Sequence, residues 1–201
     1  MHEHPASLDD IKTPLDWWRY HADFFQFPAL FAFLVWYDFE RVGLEWFGAL
    51  LLGFVFFTFV EYWVHRSILH GAFYHGTHED HHLKPEAHVF FPLYYVPGAF
   101  LFIFAEFAFA GWLVGASEWL AMYAGFVLGY VWFTVMHHLL HHSAHAAGSY
   151  LHRFAMWHLV HHSSITWNYG ITTNIWDRVF RTYRDPASIP RNRFHDERLL
   201  R

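Results

Sequence analysis

Four apolar stretches divide the chain, and each stops where charges, prolines or histidines begin. Residues 24–37 are nearly all apolar, but about 14 residues of helix reach only about 21 Å against a hydrocarbon core of about 30 Å. This stretch therefore predicts a span that is tilted, re-entrant or extended by its flanks. Trp17, Trp18 and Tyr20 stand just before it, as aromatic residues do at a membrane entry. Asp38, Glu40 and Arg41 mark a short turn, after which residues 44–64 are long and apolar enough to cross. Residues 89–115 form a third run, interrupted near its start by Pro92 and Pro97 and carrying Glu106 in its middle, and residues 119–136 form a fourth without a charge. The link at 115–118 fits only a tight hairpin, so the third and fourth spans are expected to be antiparallel neighbours.

Two histidine windows, 61–82 and 137–162, follow the second and fourth runs. Six of the 20 histidines lie in the first and nine in the second, so the enrichment is placed rather than spread. Two crossings separate the windows, which puts both on one side of the membrane. Arg66, Lys84 and Arg153 lie within them and Arg178, Arg181, Arg184, Arg191, Arg193, Arg198 and Arg201 follow, whereas the link at 115–118 has no basic residue. By the positive-inside rule the histidine face is cytoplasmic. The fold expected is all-α and integral to the membrane, with about four transmembrane helices in two hairpins and a cytoplasmic, helical, histidine-rich metal-binding cap. Residues 1–201 read as a single domain, with residues 1–23 an interfacial segment and 185–201 a basic tail.

Composition strengthens the membrane reading: hydrophobic residues are 55%, aromatics 23% and charged residues 15%, against about 25% charge in soluble domains. Mean hydropathy is only +0.11 because the histidines and polar ends dilute very apolar runs. There is no cysteine, which excludes disulfides, thiolate metal sites and a cysteine nucleophile. The first residues carry acids and prolines but no basic region followed by an apolar core, so no signal peptide is expected. With a net charge of −5, a nucleic acid is not an expected partner. A bacterial inner membrane and the endoplasmic reticulum are both compatible with these features.

Histidine spacing then points to metal. Helical residues three and four apart share a face, which groups His78, His81 and His82, and likewise His158, His161 and His162. His137 with His141 and His138 with His142 form two i,i+4 pairs on adjacent stripes. His65 and His70 are five apart, so both reach one site only if the helix bends or ends between them, with Gly71 the expected terminator. Imidazole suits iron, zinc, copper and nickel. These ten histidines (His65, His70, His78, His81, His82, His137, His141, His158, His161 and His162) exceed the four to six ligands of one ion, so two ions are expected. For His75, His138 and His142 either ligation or a packing role stands open. Glu61, Glu79, Asp80 and Asp177 are candidates to orient the imidazoles or to bridge ions. The remaining histidines, His2, His4, His21, His88, His145, His152 and His195, read as interfacial or packing residues. Glu106 reads as functional or as a hydrogen-bonded packing residue.

From Glu61 to Thr182 these residues resemble the fatty acid hydroxylase and sterol desaturase superfamily, membrane enzymes with three histidine boxes. Glu61-Tyr62 and His65-Arg66 through His70 resemble the first box, and His78, His81 and His82 the second. His137, His141 and the run His158 to His162 resemble the third region. Asn168 to Thr172, followed by Trp176 to Phe180 and Thr182, is similar to the segment after the last box in fatty acid hydroxylases and is the most specific match. Arg181 stands where that family usually has glycine, and the gap from His70 to His78 is short, as in carotenoid hydroxylases and sterol desaturases.

The resemblance implies an oxidoreductase: a non-haem di-iron monooxygenase using O2, with zinc able to replace iron on isolation. It implies hydroxylation of a C–H bond in a fatty acyl or related lipid drawn from the bilayer. Electrons are expected from a separate cytochrome b5-like or ferredoxin/reductase donor. The ten histidines are then ligands, with Glu61, Asn168 and Asp177 in support and no other catalytic side chain required. Sterol or carotenoid oxygenation and lipid desaturation are alternatives within the superfamily. A histidine-rich metal transporter is the alternative of a different class, although transport predicts ionisable residues through the bilayer depth. A zinc hydrolase is disfavoured because no H-E-x-x-H occurs.

Overall fold

The computed structural model describes residues 13–71, 76–85 and 92–188. All regular structure among them is helical: α1 (Pro14–Tyr37), α2 (Leu44–Val64), a π-helical turn (His65–Leu69), α3 (Gly76–Leu83), α4 (Tyr95–Val114), α5 (Trp119–His142), α6 (Tyr150–Ser163) and α7 (Ile175–Val179). The chain forms two compact units whose boundaries fall inside α2 and α5, one built from residues 1–57 and 88–134 and the other from 58–87 and 135–201.

In the first unit, α1 begins at a reciprocal cap. The Asp16 amide donates to Thr13 Oγ1 and the Thr13 amide to Asp16 Oδ2, each at 3.1 Å. The helix therefore takes in ten residues of the polar flank before the apolar run starts, which is how the short first stretch becomes 24 residues long. Its Phe27 packs on Phe100 and Tyr130, with ring centroids 4.5 and 4.7 Å away. α4 ends at Gly115 in the left-handed conformation (φ 67°), and α5 starts four residues later, giving the expected hairpin. α2 and α5 meet backbone to backbone: a Cβ on Gly53 would strike the Met122 carbonyl, and one on Gly125 the Leu50 carbonyl. Small residues allow this approach, as they do between membrane helices.

Among the described residues, three helical segments are long and apolar enough to cross a membrane: Leu44–Leu69, Tyr95–Val114 and Trp119–His142. α1 is the fourth long helix, but its first turns are polar and it is not among these three. Large apolar side chains including Leu44, Leu101, Trp112 and Val114 stand outward, a surface suited to lipid rather than water. Glu106 is also exposed on α4.

In the second unit, the ends of α2 and α5 and the whole of α3 and α6 carry the histidines, and the segment 164–174 leads into α7. α6 is started by Ser149, whose hydroxyl accepts the His152 amide at 3.1 Å. Its buried side is Ala155, Trp157, His158, Leu159, Val160 and His161.

Candidate metal centre

The five-residue spacing of His65 and His70 is resolved by the backbone. The His70 amide donates to the His65 carbonyl at 3.2 Å, an i→i+5 bond that widens the last turn. One π-helical turn puts residues five apart on one face, and the two rings lie 5.1 Å apart. The helix was expected to bend or end between them; instead it widens, then stops at Gly71, where a side chain would collide with the Ser67 carbonyl.

Histidines from both windows converge in two groups. His65, His70, His78, His82 and His161 form one, and His81, His141, His158 and His162 the other, with the ligand atoms of each group within 4.8 Å of one another. In the first group, Nε2 atoms are 3.0 Å apart between His65 and His78, 2.9 Å between His70 and His161 and between His70 and His78, and 3.2 Å between His78 and His82. In the second, His141 lies 2.8 Å from His158, and His162 lies 3.1 Å from His158. His137 joins this group through His81 at 3.1 Å and His141 at 3.2 Å. Two nitrogens bound to one ion at about 2.0–2.1 Å stand about 2.9 Å apart at right angles and about 3.4 Å apart at the tetrahedral angle. The observed spacings suit adjacent ligands around a shared ion with more than four ligands.

The histidine-pair boxes are divided between the groups. His78 and His82, an i,i+4 pair, serve the first group while His81 between them serves the second. On α6 the pair His158 and His162 serves the second group and His161 the first. The groups are adjacent, since His82 and His162, one from each, stack at 4.4 Å.

Protonation states agree with ligation. His65 Nδ1 lies 2.5 Å from the Tyr169 carbonyl and His161 Nδ1 lies 2.8 Å from the Trp167 carbonyl. A carbonyl only accepts, so both Nδ1 atoms carry the proton and both Nε2 atoms turn lone pairs toward the centre. Burial, then the neighbouring histidines, holds His81, His158, His161 and His162 well below the ordinary imidazole range, and His78 is lowered by the same causes. Burial followed by His70 and His137 lowers His82 to about 3. At neutral pH these rings are uncharged donors whose converging lone pairs a cation satisfies together.

The segment 167–172 supplies both carbonyls, and its own amides are tied down in turn. The Asn168 amide donates to the Thr182 carbonyl at 2.9 Å. The Tyr169 and Gly170 amides donate to the two oxygens of Asp177 at 2.8 and 2.9 Å. The Ile171 amide donates to Glu61 at 2.5 Å, and the Thr172 amide and hydroxyl donate to the same carboxylate. Asn168 sits at φ 54°; its side-chain amide donates to the Arg184 and Trp157 carbonyls at 2.9 and 3.2 Å and accepts from the Arg184 amide at 2.7 Å. Arg66 donates to the Tyr62 hydroxyl at 2.8 Å, and Tyr62 lies 2.9 Å from Thr182 Oγ1, which donates to Asp177 at 2.8 Å. Burial pushes the Asp177 carboxyl up to about 6 despite these bonds.

The other candidates fall outside the groups. His138 and His142 pair with each other at 4.8 Å on the neighbouring stripe of α5, and His75 lies outside the described residues. Glu79 is exposed. His21 stacks on Trp17 at 4.4 Å, His145 lies 3.0 Å from the Leu139 carbonyl, and His152 accepts from the Gly148 amide. Sequence reasoning did not anticipate the carbonyls of Trp167 and Tyr169, because a main-chain acceptor leaves no mark in residue type.

A family model described as fatty acid hydroxylase matches residues 50–182. The fatty acid 2-hydroxylase of Mus musculus is 30% identical over 148 residues, covering 67% of this chain and 39% of that protein. A ceramide very long chain fatty acid hydroxylase of Schizosaccharomyces pombe is 33% identical over 143 residues, 66% of this chain and 41% of its own length. A probable Delta(7)-sterol 5(6)-desaturase of Neurospora crassa is 29% identical over 165 residues, 75% of this chain and 40% of its own length. The chain thus spans about two fifths of these relatives. A solved structure described as full-length scs7p with only its hydroxylase domain visible has the same fold, with a TM-score of 0.64, 21% identity, and 90% of this chain and 73% of that one covered.

Proposed function

The chain belongs to the fatty acid hydroxylase family, and from that premise we propose that it is a membrane-bound, O2-dependent lipid hydroxylase with a two-metal centre. The observation that carries the proposal is the convergence of histidines from both windows into two adjacent groups of uncharged nitrogens. His65, His70, His78, His82 and His161 would hold one ion, and His81, His137, His141, His158 and His162 the other. Iron bound in these sites would supply activation of O2 and removal of hydrogen from an unactivated C–H bond. The overall balance is RH + O2 + 2 e⁻ + 2 H⁺ giving ROH and H2O, the electrons coming from a separate cytochrome b5-like or ferredoxin-type donor.

The chain's own work is to keep the rings neutral and to fix their directions. Burial does the first, and the carbonyls of Trp167 and Tyr169 do the second for His161 and His65. No side chain needs to act as a general base. The substrate is a fatty acyl or related lipid reached from the bilayer, and the histidine face is cytoplasmic, a reading supported by the arginines that follow the second window.

The test is mass spectrometry of lipids from host cells making this protein or its His161→Ala variant under ¹⁸O2, with a reductant protein supplied. One added ¹⁸O in acyl chains, absent from the variant, is expected. Loss of two hydrogens without added oxygen would instead favour desaturation, the activity in the name of the Neurospora crassa relative. Equal products from both proteins would refute the assignment.

A further inference from the structure

We infer that the two metal positions are not equivalent: the ion at the His81/His141/His158/His162 group exchanges readily, while the ion at the His65/His70/His78/His82/His161 group is held. The inference rests on the two-metal reading above. What separates the groups is the far nitrogen of each ring. In the first, the Nδ1 atoms of His65 and His161 bond to two carbonyls of one segment, Tyr169 and Trp167. In the second, the Nδ1 atoms of His81, His158 and His162 are buried and have no hydrogen-bond partner among the described residues; His82 is the one such ring in the first group.

The difference has a structural source. Five consecutive amides, residues 168 to 172, are bound by the Thr182 carbonyl and by the carboxylates of Asp177 and Glu61, which restrains the peptide units that carry the Trp167 and Tyr169 carbonyls. Asp177 is itself held by Thr182 and through it by Tyr62 and Arg66. Glu61, Asn168 and Asp177 are therefore positioning residues for the first ion only. A partner on the far ring nitrogen fixes the tautomer and orientation of a ligand, and its loss typically costs about 10–100-fold in metal affinity. Among the described residues, no hydrogen-bonded frame stands behind the Nδ1 atoms of His81, His158 or His162.

The experiment uses the full chain in lipid nanodiscs, loaded with zinc so that redox chemistry plays no part, then challenged with a chromophoric chelator while released ions are counted. Two ions per chain are expected, one leaving at least about 10-fold faster than the other. His162→Ala should abolish the fast phase and leave one ion with the slow rate unchanged. Asp177→Asn should accelerate the slow phase and leave the fast one alone, whereas a merely structural defect would move both. Glu61→Gln makes the same test should Asp177→Asn fold poorly. A single release rate, loss of the slow phase in His162→Ala, or equal acceleration of both phases would overturn the inference. A chain that takes up no zinc would refute the two-metal reading itself.

Discussion

Asn168 offers the sharpest test of how the site is supported. It is fully buried, sits at φ 54°, and its side chain makes three hydrogen bonds, to the Trp157 carbonyl and to both the carbonyl and amide of Arg184. A side-chain hydrogen bond contributes about 1 kcal/mol net, so Asn168→Ala removes about 3 kcal/mol. Alanine must also hold the left-handed conformation, which costs about 1–2 kcal/mol and which asparagine tolerates better. The expected loss is about 4 kcal/mol, or roughly 10 °C in midpoint for a chain of this size. Asn168→Gly loses the same bonds but not the backbone strain, so it should retain about 1 kcal/mol relative to alanine. Thermal unfolding in detergent, followed by circular dichroism, reads both variants. An alanine variant within about 1 kcal/mol of wild type, or less damaging than the glycine variant, would refute the reasoning.

Arg181 is exposed at φ 60°, a left-handed conformation that glycine adopts without strain. Arg181→Gly should gain about 0.5–1 kcal/mol, the relief of left-handed strain less the extra entropy of glycine in the unfolded chain. Arg181→Ala keeps the strain and should gain nothing; a glycine variant that melts no higher than wild type would count against this account. The metal-free protein should lose stability as pH falls below about 6.5, the ordinary imidazole value. Burial lowers His81, His82, His158, His161 and His162 in the folded state, so the unfolded chain takes up their protons first and acid favours it. Asp177, raised to about 6, works the other way, because between its unfolded value and about 6 the folded state holds the extra proton. The lowered histidines, His78 among them, outnumber the raised carboxyls and remain dominant. Midpoints of chelator-treated protein from pH 8 to pH 5 that stay flat or rise would show the balance to be reversed.

The spans were legible because length and hydropathy alone decide whether a helix can cross: residues 44–64 were read from the sequence and α2 occupies Leu44–Val64. For the first stretch hydropathy left three forms open, and α1 takes the one extended by its flank, because the Thr13–Asp16 pair begins the helix ten residues ahead of the apolar run. The histidines that converge were also legible, since spacing tells which rings share a helix face. What spacing does not tell is which rings share an ion.

That limit has a geometric cause. In each H-x-x-H-H box the i,i+4 pair points to one centre and the residue beside its second member to the other, and the two boxes make opposite assignments. Residues i and i+4 lie close to one stripe of a helix and i+3 on the next, so α3 and α6 each give rings to both groups rather than to one apiece. Displacing either helix must then disturb both centres, whereas replacing one ring disturbs one. The frame behind the rings breaks this near-symmetry, because the segment 167–172 reaches His65 and His161 and none of the rings left without a partner. Two similar groups of histidines thus differ through main-chain carbonyls, which residue types do not encode, held in place by Glu61, Asn168 and Asp177, which they do.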